Sequence, residues 1–86
     1  MYTVVLSESA QEDGGSLPLQ IARRVALIVE RLERWPEVSG VKALAGKLRG
    51  KYRIRTGDWR VLFSVDPAAK IVTVWKISNR KDVYED

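Results

Sequence analysis

The sequence predicts an α+β domain, with one helical layer packed on one mostly antiparallel sheet. Three observations predict it. One long stretch carries apolar residues at helical spacing. Four shorter stretches are β-branched or alternate apolar with polar. They run in the order strand, helix, then a three-strand meander. The 86 residues form one small domain, 1–86, able to bury about 60–65% of the unfolded surface and so to hold one modest core.

Residues 2–6 (YTVVL) are β-branched and aromatic and read as the first strand. Ser7 can cap a helix after it, but residues 7–13 are polar and soon meet Gly14-Gly15, so a single helical turn or a loop is expected. Ser16-Leu17-Pro18 looks like a fresh helix start, with Ser16 as cap and proline in the first turn. Ile21, Val25, Ile28, Leu32 and Trp35 then form one apolar stripe, predicting a helix of about 17 residues. Pro36 is expected to stop it. Arg23, Arg24, Glu30, Arg31, Glu33 and Arg34 form its solvated side.

Residues 37–45 read as a connection, with Val38, Val41 and Leu44 tucked under the sheet. Residues 51–56 and 59–65 then alternate about Gly57-Asp58 and read as a hairpin. Alternation puts Tyr52, Ile54 and Thr56 on one face and Lys51, Arg53 and Arg55 on the other. A two-residue loop sets Arg55 opposite Arg60 and Arg53 opposite Leu62. Residues 66–70 form a second turn, with Pro67 at its first central position. Residues 71–78 are the last strand, followed by a polar tail.

Composition narrows the chemistry. There is no cysteine and no histidine, which excludes disulfides, thiolate or histidine metal sites, serine–histidine triads and two-histidine nuclease chemistry. The segment Gly40…Gly46-Lys47 is not a phosphate-binding loop, because Leu48 stands where a hydroxyl residue should meet magnesium. The carboxylates are scattered, so neither metal nor other cofactor is expected. No basic stretch precedes an apolar segment at the N-terminus and no apolar run is long enough to span a bilayer; a cytoplasmic location is expected.

Charge is distributed unevenly. Residues 1–37 sum to −2, residues 38–65 to +6, and residues 66–86 to zero. Concentrated positive charge favours a polyanion: nucleic acid, a phosphorylated ligand or an acidic protein. Like charges placed opposite one another on a sheet cost about 0.2–1 kcal/mol. A chain that gathers Arg53, Arg55 and Arg60 on one face therefore has an anion to bind there, most simply a phosphate, which the planar guanidinium fork suits. Arginine never deprotonates at neutral pH, so any reaction needs another proton acceptor. Tyr84, four residues past Arg80, is the leading candidate against its plainer reading as a terminal packing residue. An ordinary phenol needs about 4 kcal/mol of differential stabilisation to ionise at neutrality, which two or three neighbouring cations can supply. Lys81, Asp82 and Glu85 are the alternatives. Of the three tryptophans, Trp59 at the hairpin tip is the candidate for stacking on a base, whereas Trp35 and Trp75 read as packing residues.

Residues 44–63 (LAGKLRGKYRIRTGDWRVLF), followed by Arg80-Lys81-Asp82-Val83-Tyr84, resemble the RelE/ParE toxin superfamily. Its marks are a leucine–glycine segment, a YRxRxGDxRV hairpin and a terminal RKDVY. The resemblance implies a toxin of a type II toxin–antitoxin pair with a RelE-like fold. In its RelE branch such toxins cleave mRNA in the ribosomal A site without metal. Carried onto this chain, Arg53, Arg55, Arg60, Arg80 and Tyr84 would be catalytic, and Lys47, Arg49, Lys51 and Lys81 would bind RNA. The products would carry 2′,3′-cyclic phosphate ends, and the expected partners are mRNA, the ribosome and an acidic antitoxin in a heteromeric complex, with no membrane. Two other functions fit the same resemblance: a ParE-like DNA gyrase inhibitor, and a non-catalytic relative that only grips RNA or its partner.

Overall fold

A computed structural model describes residues 1–79 of the chain. Its elements are β1 (Thr3–Leu6), α1 (Glu8–Gly15), α2 (Leu19–Leu32), β2 (Val41–Ala43), β3 (Tyr52–Thr56), β4 (Trp59–Asp66) and β5 (Ile71–Asn79), with a 3-10 turn at Gly46–Leu48. The strand order is β1-β5-β4-β3-β2. β1 runs parallel to β5 and every other pair is antiparallel. The α+β class and the three-strand meander are as the sequence predicts.

The inner face holds the core. Ile54, Val61 and Ile77 lie across from one another in one row, and Tyr52, Phe63 and Val74 in the next. Val25, Ile28 and Leu32 of α2 are buried against them. Trp35, just past α2, closes the end of this layer, its ring 5.1 Å from Tyr52 and 5.6 Å from Phe63.

Three elements differ from expectation. Val41–Ala43 is a short edge strand on β3 rather than part of a loop. α2 begins at Leu19 with Pro18 at its cap and no side-chain cap bond. Ser16, expected to cap it, instead ends α1, its N–H donating to the Asp13 carbonyl at 3.1 Å. α1 itself is a true helix that runs through both glycines.

Its stability comes from both of its ends. The Ser7 hydroxyl accepts from the Ala10 N–H at 3.1 Å and donates to the Trp75 carbonyl at 3.0 Å. At the other end, Asp13 accepts from the Ile77 N–H and from Lys76 Nζ, both at 3.0 Å. β1 pairs with β5 only as far as Val74. α1 thus takes over the edge of β5 where its neighbouring strand has ended, satisfying backbone groups that would otherwise lie open. Asp13→Ala should cost about 1.5–3 kcal/mol, the range for hydrogen bonds to a charged group. Lys76→Ala should cost under about 1 kcal/mol, as a half-exposed ion pair. Urea unfolding of the two variants checks the ranking, and an equal loss would show that the backbone bond contributes nothing beyond the ion pair.

Candidate functional site

The site is built on the outer face of the hairpin. Gly57 takes φ +59, and among the described non-glycine residues only Lys70 has positive φ. The turn therefore follows the II′ pattern, with glycine at its first central position. A two-residue loop results, and the register follows: Arg55 across from Arg60, Arg53 across from Leu62, Ile54 across from Val61. All three arginines stand on the face away from the helices.

Neighbouring strands extend this face. β2 places Lys42 across from Arg53, and β5 places Lys76 across from Leu62 and Ser78 across from Arg60. Two rows result, Lys42–Arg53–Leu62–Lys76 and Arg55–Arg60–Ser78. They differ in depth. Arg53 is only 8% exposed, Arg60 is half-buried and Arg55 is exposed. Leu62 and Leu44 are buried but stand outside the main core cluster. Alternation puts both on the outer face, so Leu44 does not tuck beneath the sheet as expected. The Ser78 hydroxyl is buried and has no hydrogen-bond partner among the described residues.

A buried guanidinium is aimed by its surroundings, whereas an exposed one follows solvent. Arg53 is thus suited to hold a phosphate in one orientation, and Arg55 to draw it in. Lys51 continues the face beyond Arg53. Lys47, in the 3-10 turn, and Arg49 are exposed on the adjoining β2–β3 connection. Arg80, Lys81 and Tyr84 lie outside the described residues, as do Asp82 and Glu85. Among the described residues no group of histidine, cysteine, aspartate or glutamate is placed to hold a metal ion.

Sequence reasoning missed three features. Arg24 of α2, read there as a solvated residue, lies beside the hairpin tip, where a Cβ on Gly57 would stand 3.7 Å from its Nη1. Trp59 is half-buried and packs against the core. Trp75 is instead the exposed tryptophan, carried outward by a bulge in β5: Leu62 pairs with Lys76 and Phe63 with Val74, leaving Trp75 between them. A second concavity of about 300 Å³, lined by Leu6, Leu17, Val25, Val29 and Ile77 among others, is apolar and offers no group for acid–base chemistry.

A two-helix layer on a five-stranded mixed sheet is the fold of RelE toxins. A chain of the toxin–antitoxin complex RelBE2 from Mycobacterium tuberculosis superposes with a TM-score of 0.80 and 25% identity, covering 92% of this chain and 98% of that one. A chain of the archaeal RelE–RelB complex from Pyrococcus horikoshii gives 0.77 and 31%, covering 95% and 98%. No family model matches the sequence. Toxin RelG of Mycobacterium tuberculosis is 32% identical over 87 aligned positions, 96% of this chain and 95% of its own length. The chain belongs to the RelE/ParE toxin superfamily and is a RelE-family toxin of the type II toxin–antitoxin class.

The opposed arginines have a thermodynamic consequence. Replacing Arg55 by glutamate turns a repulsive cross-strand pair into an attractive one, so Arg55→Glu should be more stable than the parent by about 0.2–1 kcal/mol. A urea midpoint moved upward with an unchanged slope is the expected result. A lower midpoint would mean that Arg55 makes contacts worth more than the repulsion.

Proposed function

We propose that this toxin is a metal-independent, ribosome-associated mRNA endonuclease that arrests translation in the cytoplasm and is neutralised by an acidic antitoxin. The observation that carries the reading is the shared face of Arg53, Arg55 and Arg60. Membership of a family whose toxins are generally ribonucleases supports it, and the toxin–antitoxin complexes among its structural relatives support the antitoxin.

The reaction is an in-line displacement. The phenolate of Tyr84 takes the proton of a ribose 2′-hydroxyl, and the 2′-oxygen attacks the adjacent phosphorus. The bond from phosphorus to the 5′-oxygen breaks, leaving a 2′,3′-cyclic phosphate on one fragment. The departing 5′-oxygen takes a proton from water and becomes a hydroxyl on the other, and the tyrosine returns its own proton to the solvent hydroxide. Arg53, Arg55 and Arg60 stabilise the added negative charge on the pentavalent phosphorus, where fixed donors act most strongly. Arg80 is the further arginine of the set, and one of the four assists the leaving oxygen. Lys47, Arg49, Lys51 and Lys81 hold the flanking strand, and the antitoxin lays a helix or strand across the same cations.

Arg60→Ala should cut the cleavage rate by about 100- to 1,000-fold, the loss that attends removal of one charge-stabilising donor. Antitoxin affinity should fall by no more than about fivefold, the share that relief of one cross-strand repulsion of about 1 kcal/mol contributes. Primer extension on cellular message after induction reads the first, and co-purification the second. Discrete cuts that vanish in Arg60→Ala and Tyr84→Phe are expected. Intact message with double-strand DNA breaks would move the target to DNA gyrase, and unaffected growth would leave a non-catalytic binder.

A further inference from the structure

Trp75 is the large aromatic side chain that the sheet turns outward. It is 41% exposed, although it lies between buried valine and isoleucine positions on β5. The bulge that expels it also puts Lys76 on the same face, so two consecutive residues point outward. The indole is fixed in place: its Nε1–H donates to Ser64 Oγ at 2.6 Å. The Ser7 hydroxyl holds the Trp75 carbonyl at 3.0 Å. Lys51 Nζ lies 5.0 Å from the ring centroid.

These facts define what the group can recognise. With its N–H already committed to Ser64, the indole has no donor left to read a base edge, and it offers a flat π surface. Such a surface accepts any base by stacking. The surroundings are cationic, with Lys51 over the ring and Arg53 in the neighbouring row, which suits the phosphates on either side of a stacked base. Lys51 and Arg53 are two residues apart on the outer face of the hairpin, a step of about 6.8 Å, and the indole reaches Ser64, two residues beyond the Arg53 partner Leu62 on β4. One nucleotide of an extended strand covers a comparable distance.

We propose that Trp75 and Lys51 form a stacking subsite for the nucleotide next to the scissile phosphate. The base lies on the indole, and Lys51 moves from the ring to that nucleotide's phosphate. This rests on the reading of the outer face as an RNA site and adds a residue to it that binds and positions without taking part in proton transfer. Because the indole reads only a π face, the subsite tolerates all four bases and favours purines, whose stacking area is larger.

The test uses the full-length toxin and a short oligoribonucleotide made uncleavable by 2′-deoxy substitution, with binding read by fluorescence anisotropy. Trp75→Ala should weaken binding by about 5- to 150-fold, the span of base–aromatic stacking on alanine substitution, while Trp75→Phe keeps most of it. An abasic site at one position of the oligonucleotide should weaken the parent but leave Trp75→Ala unaffected, while Arg60→Ala stays sensitive to it. Urea unfolding establishes that the variants fold. Binding by Trp75→Ala within about twofold of the parent would overturn the subsite, as would equal sensitivity of both proteins to every abasic position. Loss of antitoxin affinity with RNA binding intact would overturn it too, and assign the indole to the protein partner. The nuclease reading fails separately, on uncut message, because binding to an uncleavable strand does not depend on turnover.

Discussion

Everything at the site depends on which face of the β3–β4 hairpin is buried. Ile54, Val61 and Phe63 sit under the helices, and burying each such side chain contributes about 1.5–3 kcal/mol. Setting Arg55 against Arg60 costs at most about 1 kcal/mol. The core term is several times larger, so it dictates register, and the arginines accept the place that remains. A slip of one residue would drive every guanidinium into the apolar layer. The cationic face is therefore as firmly specified as the core, although nothing on that face specifies it.

The second determinant is α1, whose role lies in its ends. An eight-residue helix with two glycines has little intrinsic stability. It persists because Ser7 and Asp13 bond to the edge of β5 on either side of the bulge. The same bonds leave Trp75 facing out and Lys76 beside it. Local weakness in the sequence is thus offset by tertiary bonds, and those bonds shape the uncovered face of the sheet.

This explains what could be read from the chain and what could not. The hairpin was legible down to its cross-strand pairs because alternation and a Gly-Asp turn are both local signals. The α2 stripe was legible for the same reason, though its first turn was not, since Pro18 could begin the helix or end the segment before it. β2 left little trace, for three residues give alternation too little room and its strand character comes from pairing with β3. α1 was obscured because the two bonds that support it reach across nearly the whole chain to β5. Trp75 was misjudged because a bulge is a property of two strands together, and an isolated strand pattern assigns it the wrong company. The burial of Arg53 was equally hidden, since alternation gives the face of a residue but not its depth.

The crowding of cations also couples the proposed ligands to the fold. Any polyanion that binds the folded chain and not the unfolded one stabilises it by mass action, and here it also removes the repulsion between Arg55 and Arg60. RNA and an acidic antitoxin would each gain from that same relief. Two such ligands cannot both claim it, because the repulsion can be neutralised only once. Competition between substrate and inhibitor then requires no conformational switch in the toxin. On the proposed reading it would arise from one charged surface serving substrate and inhibitor alike.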